Sequence, residues 1–217
     1  MVITVYNIKG GVGKSIVAIN LAIEFSKRKN KVLLIDADQQ ATSTNFMQIR
    51  SELKVQQFSV NQTLVPTIHK DINKYSDYSP IIIDVGGRDT KIARSAIASS
   101  DIIIVPIAPS GSDFWSTEDT FQLIAEIKKH IPELKILGLL NKVMPNTRVA
   151  KEVEKLVIEF ENDFDMKFIK QRMCSRVSYS YSFDDGLGIT EYSNIKAKKE
   201  FTNIFNEVYN EFKKKTK

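Results

Sequence analysis

"YNIKGGVGKSIVAIN", Tyr6 to Asn20, frames the reading of the whole chain. A loop that cradles phosphate, G-x-x-x-x-G-K-[ST], needs glycines where the backbone folds tightly and turns its N–H groups toward an anion. Gly13, Lys14 and Ser15 fit that pattern, but its first glycine position is held by Ile8, and a second lysine, Lys9, follows. Gly10, Gly11 and Gly13 still supply the tight fold, with Val12 between them. Lys14 would then carry a mobile positive charge to terminal phosphates, and Ser15 a hydroxyl to Mg²⁺. The loop joins a strand-like run, "VITVYN" (Val2 to Asn7), to a helix-periodic segment, Lys14 to Lys29, whose N-terminus adds amides to the cradle.

Outward from the loop, short apolar runs alternate with helix-periodic segments. The runs are Val2 to Asn7, Lys31 to Asp38, Pro80 to Val85, Asp101 to Ile107 and Lys135 to Asn141, and the helical spacing covers Lys14 to Lys29, Thr90 to Ser99, Phe114 to His130 and Thr147 to Phe164. Four of the runs are almost continuously apolar, as strands buried on both faces are. This predicts a single-domain α/β fold over residues 1–217, doubly wound, with a mostly parallel sheet and helices on both faces. "VQQFSV", Val55 to Val60, reads as a minor strand.

Composition narrows the classes. With 217 residues and 42% hydrophobic content the chain can bury one sizeable core. Neither a bilayer-spanning run nor an export signal is present in the sequence, which points to the cytoplasm. One cysteine, Cys174, cannot form an internal disulfide or a thiolate-rich metal site. A net charge of +5 favours an anionic partner.

In an open parallel sheet, ligands bind beyond the carboxyl ends of the strands. Asp84 follows the three isoleucines near the end of the run "PIIIDV", where a carboxylate can hold a hydrated magnesium ion opposite the lysine loop. A dinucleotide fingerprint is the nearest rival, since Gly11-x-Gly13 opens like one and Asp36 sits where a ribose-binding acid would. Ile16 occupies the third glycine position, however, and Lys14 and Ser15 would have no task beside a pyrophosphate already held by amides.

"KGGVGKS", "LLIDADQQATS", "IIIDVGGRD", "PIAPSGSDFWS" and "LLNKV", in this order, resemble the ParA family of deviant Walker ATPases, and in particular its small ParF-like branch. The resemblance implies an ATP- and Mg²⁺-dependent enzyme that hydrolyses ATP slowly, forms a homodimer in the ATP state and partitions plasmid or chromosomal DNA. It casts Lys9 as the family's signature lysine, reaching across a sandwich dimer to the partner's ATP, where it would neutralise charge on the transferred phosphoryl group. Lys9, Lys14 and Asp38 become the catalytic set, with Asp38 orienting the attacking water. Residues Lys9 to Ile16 hold nucleotide, Ser15, Asp36 and Asp84 the magnesium shell, and Asn141 the adenine. Asp36 could instead cap the helix that follows it. The family often has proline where Gln39 stands, so a stiff turn is lost there. Gly86, Gly87 and Arg88 form a switch that responds to a γ-phosphate.

The last third points to the partners. "SRVSYSYSFDDGLGITEY", Ser175 to Tyr192, resembles a family segment containing an arginine and a tyrosine, here Arg176 and Tyr179, with Arg172 standing in for a neighbouring arginine. Arg172, Arg176, Lys196, Lys198 and Lys199 are the candidates for non-specific DNA contact. From Ile195 to Lys217 there are seven lysines and three glutamates, with an apolar stripe of Phe201, Ile204, Phe205, Val208, Tyr209 and Phe212. A helix packed on the sheet accounts for that stripe, and a MinD-like membrane-targeting helix is the sharper rival. The chain opens almost at its first strand, so no N-terminal helix-turn-helix domain is expected and DNA specificity falls to a centromere-binding adaptor. The ATP-bound form would then associate with the nucleoid rather than a membrane. A small-substrate P-loop enzyme and a nucleotide switch with negligible turnover are the other rivals.

Overall fold

The computed structural model describes residues 1–108, 111–144 and 148–215. Pro109 and Ser110 of the "PIAPSGSDFWS" stretch, Thr147 and Lys217 lie outside them. In chain order, β1 (Val2–Val5) leads to α1 (Lys14–Lys27), then β2 (Leu33–Ala37), α2 (Thr42–Ser51), β3 (Ser59–Gln62) and α3 (Ile68–Asp71). A 3-10 turn precedes β4 (Ile81–Val85), α4 (Lys91–Ala98), β5 (Ile102–Ile107), α5 (Gly111–Lys128), β6 (Lys135–Leu140) and α6 (Arg148–Asp163). β7 (Lys167–Phe168), α7 (Ser178–Asp184) and α8 (Ile195–Lys215) follow.

The strands form one seven-stranded sheet in the order β3-β2-β4-β1-β5-β6-β7. Every strand pairing is parallel, so the carboxyl ends all reach the same edge. β1 is central, and its register sets Val5 beside Asp84 while β2 sets Asp36 beside the same residue. Two carboxylates are thereby placed side by side at the end of the lysine loop.

Side-chain alternation along the strands divides the core in two. Ile82, Ile102 and Ile104 face a cluster with α1, Phe46 of α2 and the stripe of α8, whereas Ile81, Ile83 and Ile103 face a cluster with α4, α5 and α6. Helices therefore cover both faces, as the sequence predicts. The stripe of α8 is core: Phe201, Ile204, Phe205, Val208 and Phe212 are all buried, and the rings of Phe205 and Phe212 each pack edge-on to Phe25 at 5.0 Å. A face used this way is not offered to a membrane, and among the described residues no helix is long and apolar enough to cross one.

One local expectation shifts, and two features go beyond the sequence reading. The minor strand forms at Ser59–Gln62 rather than Val55 to Val60, because Gln57 turns its amide back onto the carbonyls of Arg50, Leu53 and Val55 and so stops α2 there. Ile8 lies beyond the strand, half-buried, its N–H donating to Thr120 Oγ1 rather than to a ladder. α2 has no counterpart in the apolar periodicity at all.

Candidate functional site

The lysine loop is held from outside by its carbonyls. Ile8 O accepts from the Arg88 amide, Lys9 O from Lys14 Nζ, Gly11 O from Lys142 Nζ, Val12 O from Asn141 Nδ2 and Gly13 O from the Val17 amide. With its acceptors committed, and Gly11 at φ 75° and Gly13 at φ 93°, the loop has the alternating geometry that gathers N–H groups around an anion. Gly13 also stands where α1 begins, with no side-chain cap and no acidic residue in the first turn. The positive end of a 14-residue helix therefore opens into the loop. A Cβ at Gly13 would come within 2.3 Å of Asn141 Nδ2, so the site requires glycine for space as well as for φ.

Lys14 is buried, and its Nζ donates to Lys9 O at 2.9 Å. Burial lowers its pKa, opposed by the negative charges of Asp84 and Asp38. Lys9 is half-buried at the lip of the loop, and Gly10 and Gly11 are exposed.

The two acids behind the loop are not equivalent. Asp36 is fully buried, and both its oxygens are occupied: Oδ1 accepts from the Asp38 amide, and Oδ2 from the amide and the hydroxyl of Thr44, each at 2.8 Å. Thr44 lies in the first turn of α2, whose own N-cap, Ala41, makes no side-chain bond. Asp36 thus caps that helix from a neighbouring strand. Asp84 is equally buried, but only Oδ2 is bonded, to the Ser43 hydroxyl at 2.7 Å, and Oδ1 has no hydrogen-bond partner. Burial drives its pKa up to about 7, against the pull of the Ser43 and Ser15 hydroxyls, with Asp36 adding to the rise and Lys14 opposing it. The Ser15 effect is one of proximity, since the geometry leaves Oδ1 bare.

A bare, buried carboxylate oxygen near a serine hydroxyl and an ammonium fits a hydrated divalent cation that completes its shell with phosphate and water. Among the described residues no three acidic, histidine or cysteine side chains are grouped so that they could hold a metal ion by themselves.

Asp38 faces the stretch Gly86 to Arg88. A Cβ on Gly86 would lie 3.1 Å from the Asp38 carboxylate, and one on Gly87 2.9 Å from Ile8 O. These glycines make room rather than relieve torsion: the left-handed residue is Arg88, φ 96°, whose carbonyl accepts from the Tyr6 hydroxyl. The Asp38 carboxylate also accepts from the Gln40 amide, which closes the loop that lacks proline.

Asn141 is buried, with Nδ2 on Val12 O and Oδ1 accepting from the Lys142 amide, so it ties β6 to the loop. Asn7, Ser43, Thr44 and Lys142 have no place in the sequence reading. Asn7 donates to Pro106 O and accepts from the Lys9 amide and the Thr120 hydroxyl, fixing the start of the loop. Its partners lie up to 113 residues away, so no spacing signals it, whereas "ATST" after Asp38 does hold the serine and threonine that suit a helix start.

The candidate DNA residues lie on and beside α8, where Glu200 brings Arg176 next to the helix segment that carries Lys196, Lys198 and Lys199. Arg176 is forked onto Glu200, at 3.1 Å through Nε and 2.5 Å through Nη2. Lys196 and Lys199 are exposed on α8, and Lys198 and Arg172 are half-buried. The glutamates of that helix turn inward: Glu207 accepts from the amides of Lys170 and Gln171, and Glu211 pairs with Lys135 and Lys214.

Residues 3–187 match the model of the CobQ/CobB/MinD/ParA nucleotide binding domain, and the chain belongs to that family. It is 25% identical over 187 residues to a protein named ParA from Rhizobium radiobacter, covering 85% of this chain and 83% of the relative. It is 24% identical over 164 residues to the maintenance of carboxysome distribution protein A of Halothiobacillus neapolitanus, covering 71% and 72%. The fold matches that of the septum site-determining protein MinD of Pyrococcus horikoshii, complexed with Mg-ADP, at a TM-score of 0.71 with 19% identity over 95% of each chain.

Proposed function

From that membership and from the cradle, we propose that the chain is a ParA-type ATPase of the small ParF-like branch that binds MgATP, pairs with a second copy around the nucleotide and partitions DNA. The observation that carries the reading is the meeting of the loop, with its carbonyls committed outward, and the bare oxygen of Asp84 at the end of one parallel sheet.

Gly10 to Ile16 hold the phosphates through backbone amides, and Lys14 leaves Lys9 O to pair with the terminal phosphates. Ser15 and Asp84 hold the magnesium ion, which supplies charge neutralisation on the phosphates when bound. Asp38 orients the attacking water. Lys9 faces the second copy and stabilises the charge that develops on its phosphoryl group. Asn141, with one amide hydrogen and one lone pair to spare, selects adenine. Gly86, Gly87 and Arg88 respond to the γ-phosphate because Arg88 N and Ile8 O bind the switch directly to the loop.

DNA is held without sequence preference by Arg172, Arg176, Lys196, Lys198 and Lys199, hydrolysis is stimulated by a centromere-binding adaptor, and the ATP form sits on the nucleoid in the cytoplasm. The burial of the α8 stripe favours DNA over a membrane as the supporting surface. The likeness to a carboxysome-distribution protein supports a second reading of the cargo, a protein body carried on the same DNA-bound dimer.

The test is oligomeric state and DNA retention with ADP, ATP and a non-hydrolysable ATP analogue. ATP and the analogue should give dimers with raised DNA affinity. A protein that stays monomeric and indifferent to DNA in all three would refute the partition reading. Lys9→Ala should remove hydrolysis while leaving ADP binding intact.

A further inference from the structure

The first turn of α2 gives the two buried aspartates different environments, although they are register neighbours. Thr44 supplies two donors to one oxygen of Asp36, and the Asp38 amide takes the other. Ser43, fully buried, supplies one donor to one oxygen of Asp84 and leaves the other bare. A carboxylate held on one side by a short hydrogen bond cannot rotate freely about its final torsion. Its second oxygen therefore keeps one direction, which is what a hard cation needs from a ligand buried beyond the reach of bulk water.

We propose that Ser43 is a positioning residue for magnesium, fixing the Asp84 carboxylate so that its bare oxygen meets the cation, while Thr44 keeps Asp36 as a helix cap. This rests on the magnesium-nucleotide reading above. Loss of the Ser43 hydroxyl frees the carboxylate to turn, and outer-shell partners of this kind are worth roughly 10–100-fold in metal affinity.

The experiment titrates Mg²⁺ into protein with a fluorescent ADP analogue, following nucleotide retention and melting temperature. Ser43→Ala should raise the half-saturating Mg²⁺ at least about tenfold, with nucleotide affinity in excess chelator unchanged. A merely structural serine would move both. Thr44→Val should lower the melting temperature and leave the Mg²⁺ midpoint within about twofold of wild type. A Ser43→Ala midpoint within that same range overturns the proposal. Should that variant melt below the assay temperature, Ser43→Cys, close in size with a weaker donor, must shift the midpoint at least about threefold or the proposal fails. If the wild type itself retains the analogue without regard to Mg²⁺, the magnesium reading falls first and this inference with it.

Discussion

Two helices on the same face of the sheet are held there by different balances of apolar and polar contact. α8 docks with hydrocarbon: Phe201, Phe205 and Val208 are completely buried, Phe205 and Tyr209 stack with each other, and the Arg28 guanidinium lies over both rings. α2 buries one aromatic ring, Phe46, and is otherwise fastened by polar bonds. Ser43 and Thr44 hold its first turn to Asp84 and Asp36, and Arg50 in its last turn donates to Gln56 O, Gly186 O and both oxygens of Glu191. Apolar docking tolerates small slips and, with the glutamates of α8 engaged by neighbouring segments, leaves Lys196 and Lys199 exposed. Polar docking is exact in direction, which suits a helix whose N-terminus bonds the acids of the candidate site.

The contrast is tested most severely at Arg50, whose side chain is wholly buried against Glu191. Arg50→Met keeps length but takes from the mostly buried Glu191 carboxylate its principal partner, leaving only the Gly188 amide and the more distant Lys27, and should cost about 3 kcal/mol in denaturant unfolding. The pair also sets an acid limit. Burial alone would push Glu191 up, but the Arg50 hydrogen bonds, the Gly188 amide and the charges of Arg50 and Lys27 outweigh it, so its pKa is lower folded than the ordinary 4.5. A depressed carboxylate stabilises fully above that ordinary value, and the stabilisation is lost as pH falls through the folded one. Melting curves across acid pH should show this loss in the wild type and a flatter limb in Glu191→Gln. A Glu191→Gln limb as steep as wild type would place the acid sensitivity elsewhere.

At α8 a size-tolerant swap should cost far less. Ile204→Leu keeps the site apolar and nearly its volume and should lose under about 1.5 kcal/mol, with no change in acid response. If it cost as much as Arg50→Met, the two modes of docking would not differ as the contacts indicate.

The same contrast explains what the sequence disclosed. Runs such as Ile81 to Ile83 and Ile102 to Ile104 announce central strands because burial on both faces is written locally, and the stripe of α8 announces its packing for the same reason. Gly10 to Ser15 and Asp84 were legible because a phosphate loop demands particular backbone freedom at fixed spacing. α2 was not, since its cap is Asp36 from another element and its only fully buried charge, Arg50, looks like a surface residue until Glu191, 141 positions away, is beside it. Lys142 and Asn7 escaped likewise, as their partners are set by the order of strands rather than by neighbours in the chain. The separation of Asp36 from Asp84 by their bonding is a further case, for both end apolar strands and only the geometry of Ser43 and Thr44 tells them apart.

The smallest effect concerns the exposed lysines of α8. Lys199 is exposed there, whereas Arg176, one of the same group of DNA candidates, already gives its fork to Glu200. Phosphate neutralisation draws on charge that is not already matched, so the two should differ when DNA affinity is measured against salt with the ATP analogue bound. Lys199→Gln should leave melting unchanged and reduce the salt slope by about 1, as expected for one lost phosphate contact. Arg176→Gln should alter the slope less and lower stability by about 0.2–1 kcal/mol, since it breaks a partly exposed ion pair. The reverse order, with Arg176 controlling the slope and Lys199 inert, would mean that the Glu200 pair opens to receive DNA, and the loop before α7 rather than the face of α8 would then be the contact surface.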